Sequence, residues 1–208
     1  MKFKMLCFDM DGVIFKTDNF WLQLHKALGT YEKGKELTEK YLYHDYARLV
    51  KEVMKLWKDK DAEPYWKLVK KMRYTAGTKP AMKKLKDKGY KTAIISSGPY
   101  DLAVRAQDDF GINFIFTNRL VIDEKTNKIK GFKWPIGTTD KANALRYVCR
   151  MEKVKPKEVI SVCDDLNDVE KANISGFGIA FNSGSKELID ACDVHIQKPD
   201  LKEILRYC

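Results

Sequence analysis

The stretch LCFDMDGVIF, Leu6 to Phe15, follows on from an almost continuously apolar run, Phe3 to Phe8, and ends it in Asp9, Met10, Asp11 and Gly12. Apolar residues at successive rather than alternate positions suit a strand covered on both faces. Aspartate and glycine are ordinary turn formers, so the stretch alone allows both a plain turn and a functional strand end. The rest of the chain has to decide between them.

From Gly77 onward, helix-like and strand-like segments alternate. Lys79 to Lys88 has helical spacing and ends at Gly89, YKTAIIS (90–96) reads as a strand, and PYDLAVRAQDDF (99–110) reads as a helix opened by Pro99. NFIFTN (113–118) is a further short strand, and LVIDEKTNKIKGFKW (120–134) is a β-hairpin turning near Lys125 to Asn127. A helix from about Thr139 to Arg150, the strand EVISVCD (158–164), a helix through Val169 to Ala172 and the strand GFGIAF (176–181) come next. The helix SKELIDA (185–191), a short strand DVHI (193–196) and a helix from Asp200 complete the pattern. Such βα alternation implies an α/β fold, a mostly parallel sheet with helices on both faces. The segment from Lys16 to about Thr75 differs: it has helical periodicity, no convincing strand and many aromatics, and reads as a helical insertion whose aromatic residues are mostly its own core.

The 208 residues suffice to bury a core, as one domain with an insertion or as two small ones. Charged residues make up 33% and hydrophobic ones 44%, ordinary values for a globular protein. No apolar run reaches bilayer length and the start lacks a signal-peptide layout, so a cytoplasmic protein with no membrane partner is expected. The five cysteines (Cys7, Cys149, Cys163, Cys192, Cys208) show no CxxC spacing, which suggests neither a disulfide framework nor a zinc site. Formal net charge is +10. The basic residues are scattered and no nucleic-acid motif accompanies them, so a lysine-rich solvated surface is favoured over a nucleic-acid partner, and the positive field would also draw in an anionic substrate.

In open α/β sheets, ligands bind beyond the carboxyl ends of the strands. Asp9 and Asp11 stand there, as do Ser96, Ser97 and Gly98 after the second strand, and Asp164, Asp165, Asn167 and Asp168 after EVISVC. Lys141 falls in the first turn of the preceding helix, a place where the macrodipole prefers acids. Each feature has a plain alternative: a loop before a helix, a helix cap, a surface lysine. Together they offer carboxylates for a hard cation, a hydroxyl and amides for an anion, and an ammonium, which is the equipment for moving a phosphoryl group.

FDMDG (8–12), IISSG (94–98), Lys141 and VCDDLND (162–168), in that order, resemble the four motifs of the haloacid dehalogenase superfamily, and the likeness covers nearly the whole chain. FTNRLVI (116–122) and the run from Lys83 through Gly89-Tyr90 into the second motif are similar, within it, to the phosphoserine phosphatase family. The resemblance implies a Rossmann-like parallel sheet core formed by residues 1–15 and 76–208, with a small helical cap, 16–75, inserted after the first strand. It also implies roles. Asp9 would be the nucleophile that forms an aspartyl-phosphate, and Asp11 the acid and base. Superfamily ATPases and dehalogenases generally lack an aspartate at the position of Asp11, so it points to a phosphatase or phosphomutase. Mg²⁺ would be held by Asp9, the backbone carbonyl of Asp11 and Asp164, with Asp168 a ligand through water or a support. Ser96, Ser97, Gly98 and Lys141 would hold the phosphoryl oxygens, with Asn167 near the phosphate.

The chain departs from the family pattern in places. Cys163-Asp164-Asp165 stands where the family often has Gly-Asp-Gly, which leaves Asp165 without a role, and Asp11-Gly12-Val13 replaces Asp-Ser-Thr. Where phosphoserine phosphatases read the substrate's amino group with a glutamate and its carboxylate with an arginine, the chain offers Asp18 and, as a possible match, Arg48. The expected partner is a small phosphorylated metabolite. Phosphoserine, a sugar phosphate or a nucleotide, a mutase reaction, and non-catalytic binding of a phospho-ligand or nucleic acid all remain open.

Overall fold

A computed structural model describes residues 3–17, 19–137 and 140–208. Its centre is β1 (Met5–Phe8). Side chains alternate across a strand, so Leu6 and Phe8 enter one buried cluster while Met5 and Cys7 enter another on the opposite face. Four helices come next: α1 (Phe20–Ala27), α2 (Tyr31–Tyr41), α3 (Tyr46–Trp57) and α4 (Glu63–Lys71). The chain then alternates through α5 (Thr78–Asp87), β2 (Lys91–Pro99), α6 (Tyr100–Phe110), β3 (Phe114–Asp123), β4 (Lys128–Lys133) and α7 (Lys141–Met151). It ends with β5 (Val159–Cys163), α8 (Val169–Ile174), β6 (Phe177–Phe181), α9 (Lys186–Ala191) and β7 (Val194–Ile196).

The seven strands form one sheet in the order β4-β3-β2-β1-β5-β6-β7. All neighbouring pairs are parallel except β3 and β4. Phe8, the last residue of β1, pairs with Ile94 on one side and Val162 on the other. Strand order reverses beside β1, so its carboxyl end opens into the crevice where such sheets bind ligands. β2 pairs with β3 through Ser96 and again at Pro99, a register shift that leaves Ser97 and Gly98 outside the regular ladder.

The alternation expected from the sequence is present, with two differences. NFIFTN and the first hairpin strand are one continuous strand, β3. Its first half pairs in parallel with β2 and its second half, from Arg119, antiparallel with β4. Asn118 does not break the strand because its side chain turns inward and bonds Ile136 through both its oxygen and its nitrogen. The segment expected as a helix from Asp200 is a 3-10 turn over Leu201–Tyr207.

The helices after β1 share the sheet's larger core. Phe20 and Leu24 of α1, Trp57 of α3 and Tyr65 of α4 belong to the same cluster as Leu6 and Phe8. No helix among the described residues is long and apolar enough to cross a membrane.

Candidate active site

Asp9 leaves β1 while its own N–H still donates to the Val162 carbonyl, at 2.9 Å. Gly12, at φ +73°, turns the chain back, and a Cβ there would collide with the Asp164 carboxylate. The glycine thus serves twice, adopting a left-handed conformation and letting the turn lie against the end of β5. Carboxylates from two strands are brought together this way: oxygens of Asp9, Asp164 and Asp168 lie within 4.8 Å of one another.

Lys141, the first residue of α7, is 1% exposed, and its ammonium donates to Asp9 Oδ2 at 2.6 Å, Asn167 Oδ1 at 2.9 Å and Asp168 Oδ1 at 2.9 Å. Three acceptors use all three donors of the ammonium. A second buried lysine, Lys171, lies one helical turn after Asp168 and meets the same Oδ1 at 2.8 Å. The other oxygen of Asp168 accepts from the Asp164 N–H at 3.3 Å. Asp168 is therefore the joint between both lysines and the end of β5.

These charges decide which groups are ionised. Burial alone would raise the pKa of Asp9, but the charges of Lys141 and Lys171 outweigh it, helped by hydrogen bonds from Lys141 and Ser96, and hold the carboxyl well below the usual range. Burial opposes the charge on Lys141 as well, yet Asp168 and Asp9 keep it protonated. Asp164 goes the other way: burial, and then the like charges of Asp9 and Asp168, push it well above the usual carboxylate range. An all-oxygen donor set in which one carboxyl is crowded by two others suits a hard dication such as Mg²⁺, whose charge would relieve that repulsion.

Asp11 points its Oδ2 at the first turn of α1 and accepts the Phe20 N–H at 2.8 Å. Ser96 Oγ accepts the Gly98 N–H at 3.1 Å, which shapes the irregular carboxyl end of β2. Ser97 carries the link to the helices: its carbonyl accepts from Trp21 Nε1 at 2.9 Å and Asn118 Nδ2 at 3.1 Å.

A cavity of about 110 Å³ runs from these groups up into the helices. Its floor is Asp9, Asp11, Ser96, Ser97, Asp164, Asp165 and Asn167. Its far wall includes Tyr46, Leu49, Val50, Val53, Met54 and Trp57, spaced three and four apart so that one face of α3 supplies them.

Residues 3–176 match the family model described as haloacid dehalogenase-like hydrolase. The chain belongs to this hydrolase family. Among relatives, the phosphoserine phosphatase of Methanocaldococcus jannaschii is 26% identical over 211 residues, covering 99% of this chain and 98% of the relative. That of Archaeoglobus fulgidus is 29% identical over 203 residues, covering 95% of this chain but 58% of the relative's length. A solved phosphoserine phosphatase, described as a phospho-aspartyl intermediate analogue, superposes with a TM-score of 0.87 at 25% identity, covering 100% of this chain and 99% of the other.

Of the residues singled out in this hydrolase from its sequence, Asp9, Asp11, Ser96, Ser97, Asn167 and Asp164 line one cavity. Lys141 and Asp168 are buried beneath it, and Gly98 sits in the loop behind Ser96. Arg48 is not among them. It is two residues from Tyr46 on α3 and so leaves the helix on another side, where its guanidinium lies 4.9 Å from the Tyr41 ring centroid. Asp18 lies outside the described residues.

The structure also gives partners to residues to which the sequence assigned no role. Asp165 accepts from Leu166 N at 2.8 Å, starting the 3-10 turn that carries Asp168, and from Tyr43 OH at 3.2 Å. Lys171 had a signal in its spacing of three from Asp168. Asn118 joins the Ser97 carbonyl to Tyr46 OH, at 3.1 and 3.0 Å, and only the folded chain brings those groups to it.

Proposed function

We propose that this hydrolase cleaves phosphomonoesters through an aspartyl-phosphate on Asp9. The observation that carries the reading is the Asp9 to Lys141 pair: a buried carboxylate held ionised and aimed by an ammonium at 2.6 Å, next to a second aspartate held by a different element. The relatives named phosphoserine phosphatase and the phospho-aspartyl analogue support it.

In this reading an Asp9 oxygen attacks phosphorus and the bond from phosphorus to the ester oxygen breaks. Asp11 passes its proton to the departing alcohol. A water then attacks the phosphorus of the aspartyl-phosphate, Asp11 takes its proton, and Asp9 and inorganic phosphate are released. Phe20 N–H fixes the orientation of Asp11 through both steps. Ser96, the amides of Ser97 and Gly98, and Lys141 steady the phosphoryl oxygens. Asp9, the Asp11 carbonyl and Asp164 would hold Mg²⁺, with Asp168 as support. The ion's chemistry is to offset the charge between a carboxylate and a phosphate dianion. Segment 16–75 acts as a cap on the core formed by 1–15 and 76–208, keeping bulk water from the reacting groups.

Phosphate release from a panel of phosphomonoesters, with Mg²⁺ and with EDTA, tests the reading. Turnover abolished by EDTA and by Asp9→Asn is expected. Binding of the esters with no release of phosphate would overturn it, and transfer of phosphate back to product would make the protein a mutase.

A further inference from the structure

Resting on the phosphatase reading above, we propose that the leaving group is a small, uncharged and mainly apolar alcohol, so that aryl-methyl or branched alkyl phosphates are preferred to esters of a charged amino acid. The cavity's two ends carry the argument. Every acid that lines it belongs to the floor, where the phosphoryl group must sit, and among the described lining residues there is no lysine or arginine. The wall that would meet the rest of the substrate is the aliphatic and aromatic face of α3, with Trp21 of α1 and Phe132 of β4.

Several polar atoms of that wall are engaged within the protein. Trp21 Nε1 donates to Ser97 O, Trp57 Nε1 to His25 Nδ1 at 3.2 Å, and Thr38 Oγ1 to Gly34 O at 2.8 Å. Tyr46 OH is met by Asn118 Nδ2. His25 brings no positive charge, because burial lowers its pKa to about 4. A serine leaving group would bring a carboxylate into a wall with no described cation to receive it, facing a floor of acids. An unmatched buried charge is costly, and sites reject such substrates strongly.

A quaternary ammonium is not what these aromatics fit either. Trp21 and Phe132 meet edge to face with centroids 5.0 Å apart, and Trp21 and Trp57 pack at 6.1 Å, so the rings pack on one another and form a continuous wall. The whole cavity, floor included, measures about 110 Å³, smaller than the roughly 150 Å³ void that takes up benzene, so the alcohol is small.

The test uses the full chain with Mg²⁺ and measures phosphate release from benzyl phosphate, isobutyl phosphate, O-phospho-L-serine and phosphocholine. All four release an alkyl oxygen, so their differences report the pocket. The expected result is a kcat/KM for benzyl phosphate about tenfold or more above that for phosphoserine, carried mainly by KM. Met54→Arg, which sets a guanidinium in the wall, should narrow or reverse that ratio. Phosphoserine or phosphocholine equal to or better than benzyl phosphate in the unmodified protein overturns the inference and leaves the phosphatase reading standing. No release from any ester removes both. The rank order in the unmodified protein decides, whatever the variant does.

Discussion

The floor and the wall of the cavity are built on opposite principles. In and beneath the floor, the carboxylates of Asp9, Asp164 and Asp168 pack with the ammoniums of Lys141 and Lys171, all but Asp164 less than 5% exposed, and each charge depends on the others. The wall is a helix face of leucine, valine, methionine and tryptophan whose members act by shape and apolar area. In the proposed mechanism chemistry and selection are therefore separable: changes in the floor should act alike on every substrate, and changes in the wall should act differently on each.

The strongest way to break that division is Asp9→Asn. The amide keeps the shape and the Met10 N–H contact at 2.6 Å but is no nucleophile. We expect kcat to fall about 10³-fold or more on every ester tested, and EDTA to do the same. A loss confined to some esters would mean that Asp9 selects as well as reacts.

Next in size is Lys171→Met, at a residue that does not itself line the cavity. It removes one of the two cations on Asp168 and leaves part of a buried charge uncompensated. The cost expected is about 3–5 kcal/mol of stability, read as a lower urea midpoint with an unchanged slope. An unchanged midpoint would show that Lys141 alone balances Asp168.

The wall has its own titration. His25, 2% exposed, accepts from Trp57 Nε1 at its Nδ1, and burial lowers its pKa to about 4. Above the unfolded-state value near 6.5 both states are neutral and full stability is present. As pH falls below that value the unfolded chain takes up a proton that the folded chain refuses, so stability is lost down to about pH 4, by about 2–3 kcal/mol in all. Urea unfolding at pH 7.5 and 4.5 of the protein and of His25→Gln measures it. The variant should lack this part of the pH dependence, and equal dependence in both would assign the loss to the carboxylates.

The floor was largely legible in the sequence because strand ends in an open sheet converge by rule, so Asp9, Ser96 and Asp164 could be assigned to one place before any fold was seen. Lys141 had a weak signal in its position at a helix start and was assigned through the resemblance to the family's motifs. The wall was only half legible. The spacing of Tyr46, Leu49, Val50, Val53 and Trp57 announces an apolar face, but not whether it meets the core or a cavity. Arg48 matches the family's substrate-reading arginine only in type and rough position. Two residues along a helix is about 200° around it, and that turns it away from the face that Tyr46 occupies. The partners of Asn118 and Trp21 could not be read, since they lie 18 to 76 residues away.

Trp21 gives the smallest and most discriminating test, because it belongs to both regions. Its ring is part of the wall and its N–H holds the Ser97 carbonyl of the floor. Trp21→Phe keeps an aromatic ring but removes that bond and part of the ring's packing, and Asn118 still donates to the same carbonyl. The loss should therefore lie near the lower end of the 0.5–1.5 kcal/mol that one hydrogen bond contributes, a fall of about two- to threefold in kcat/KM. If the bond links cap to phosphate loop, the fall will be shared by benzyl phosphate and phosphoserine, and Mg²⁺ with a phosphoryl mimic such as beryllofluoride will shift tryptophan fluorescence in the unmodified protein far more than in the variant. A fall seen for one ester alone would make Trp21 a wall residue only. Fluorescence indifferent to the mimic in both proteins would mean that the helices do not respond to what the floor binds.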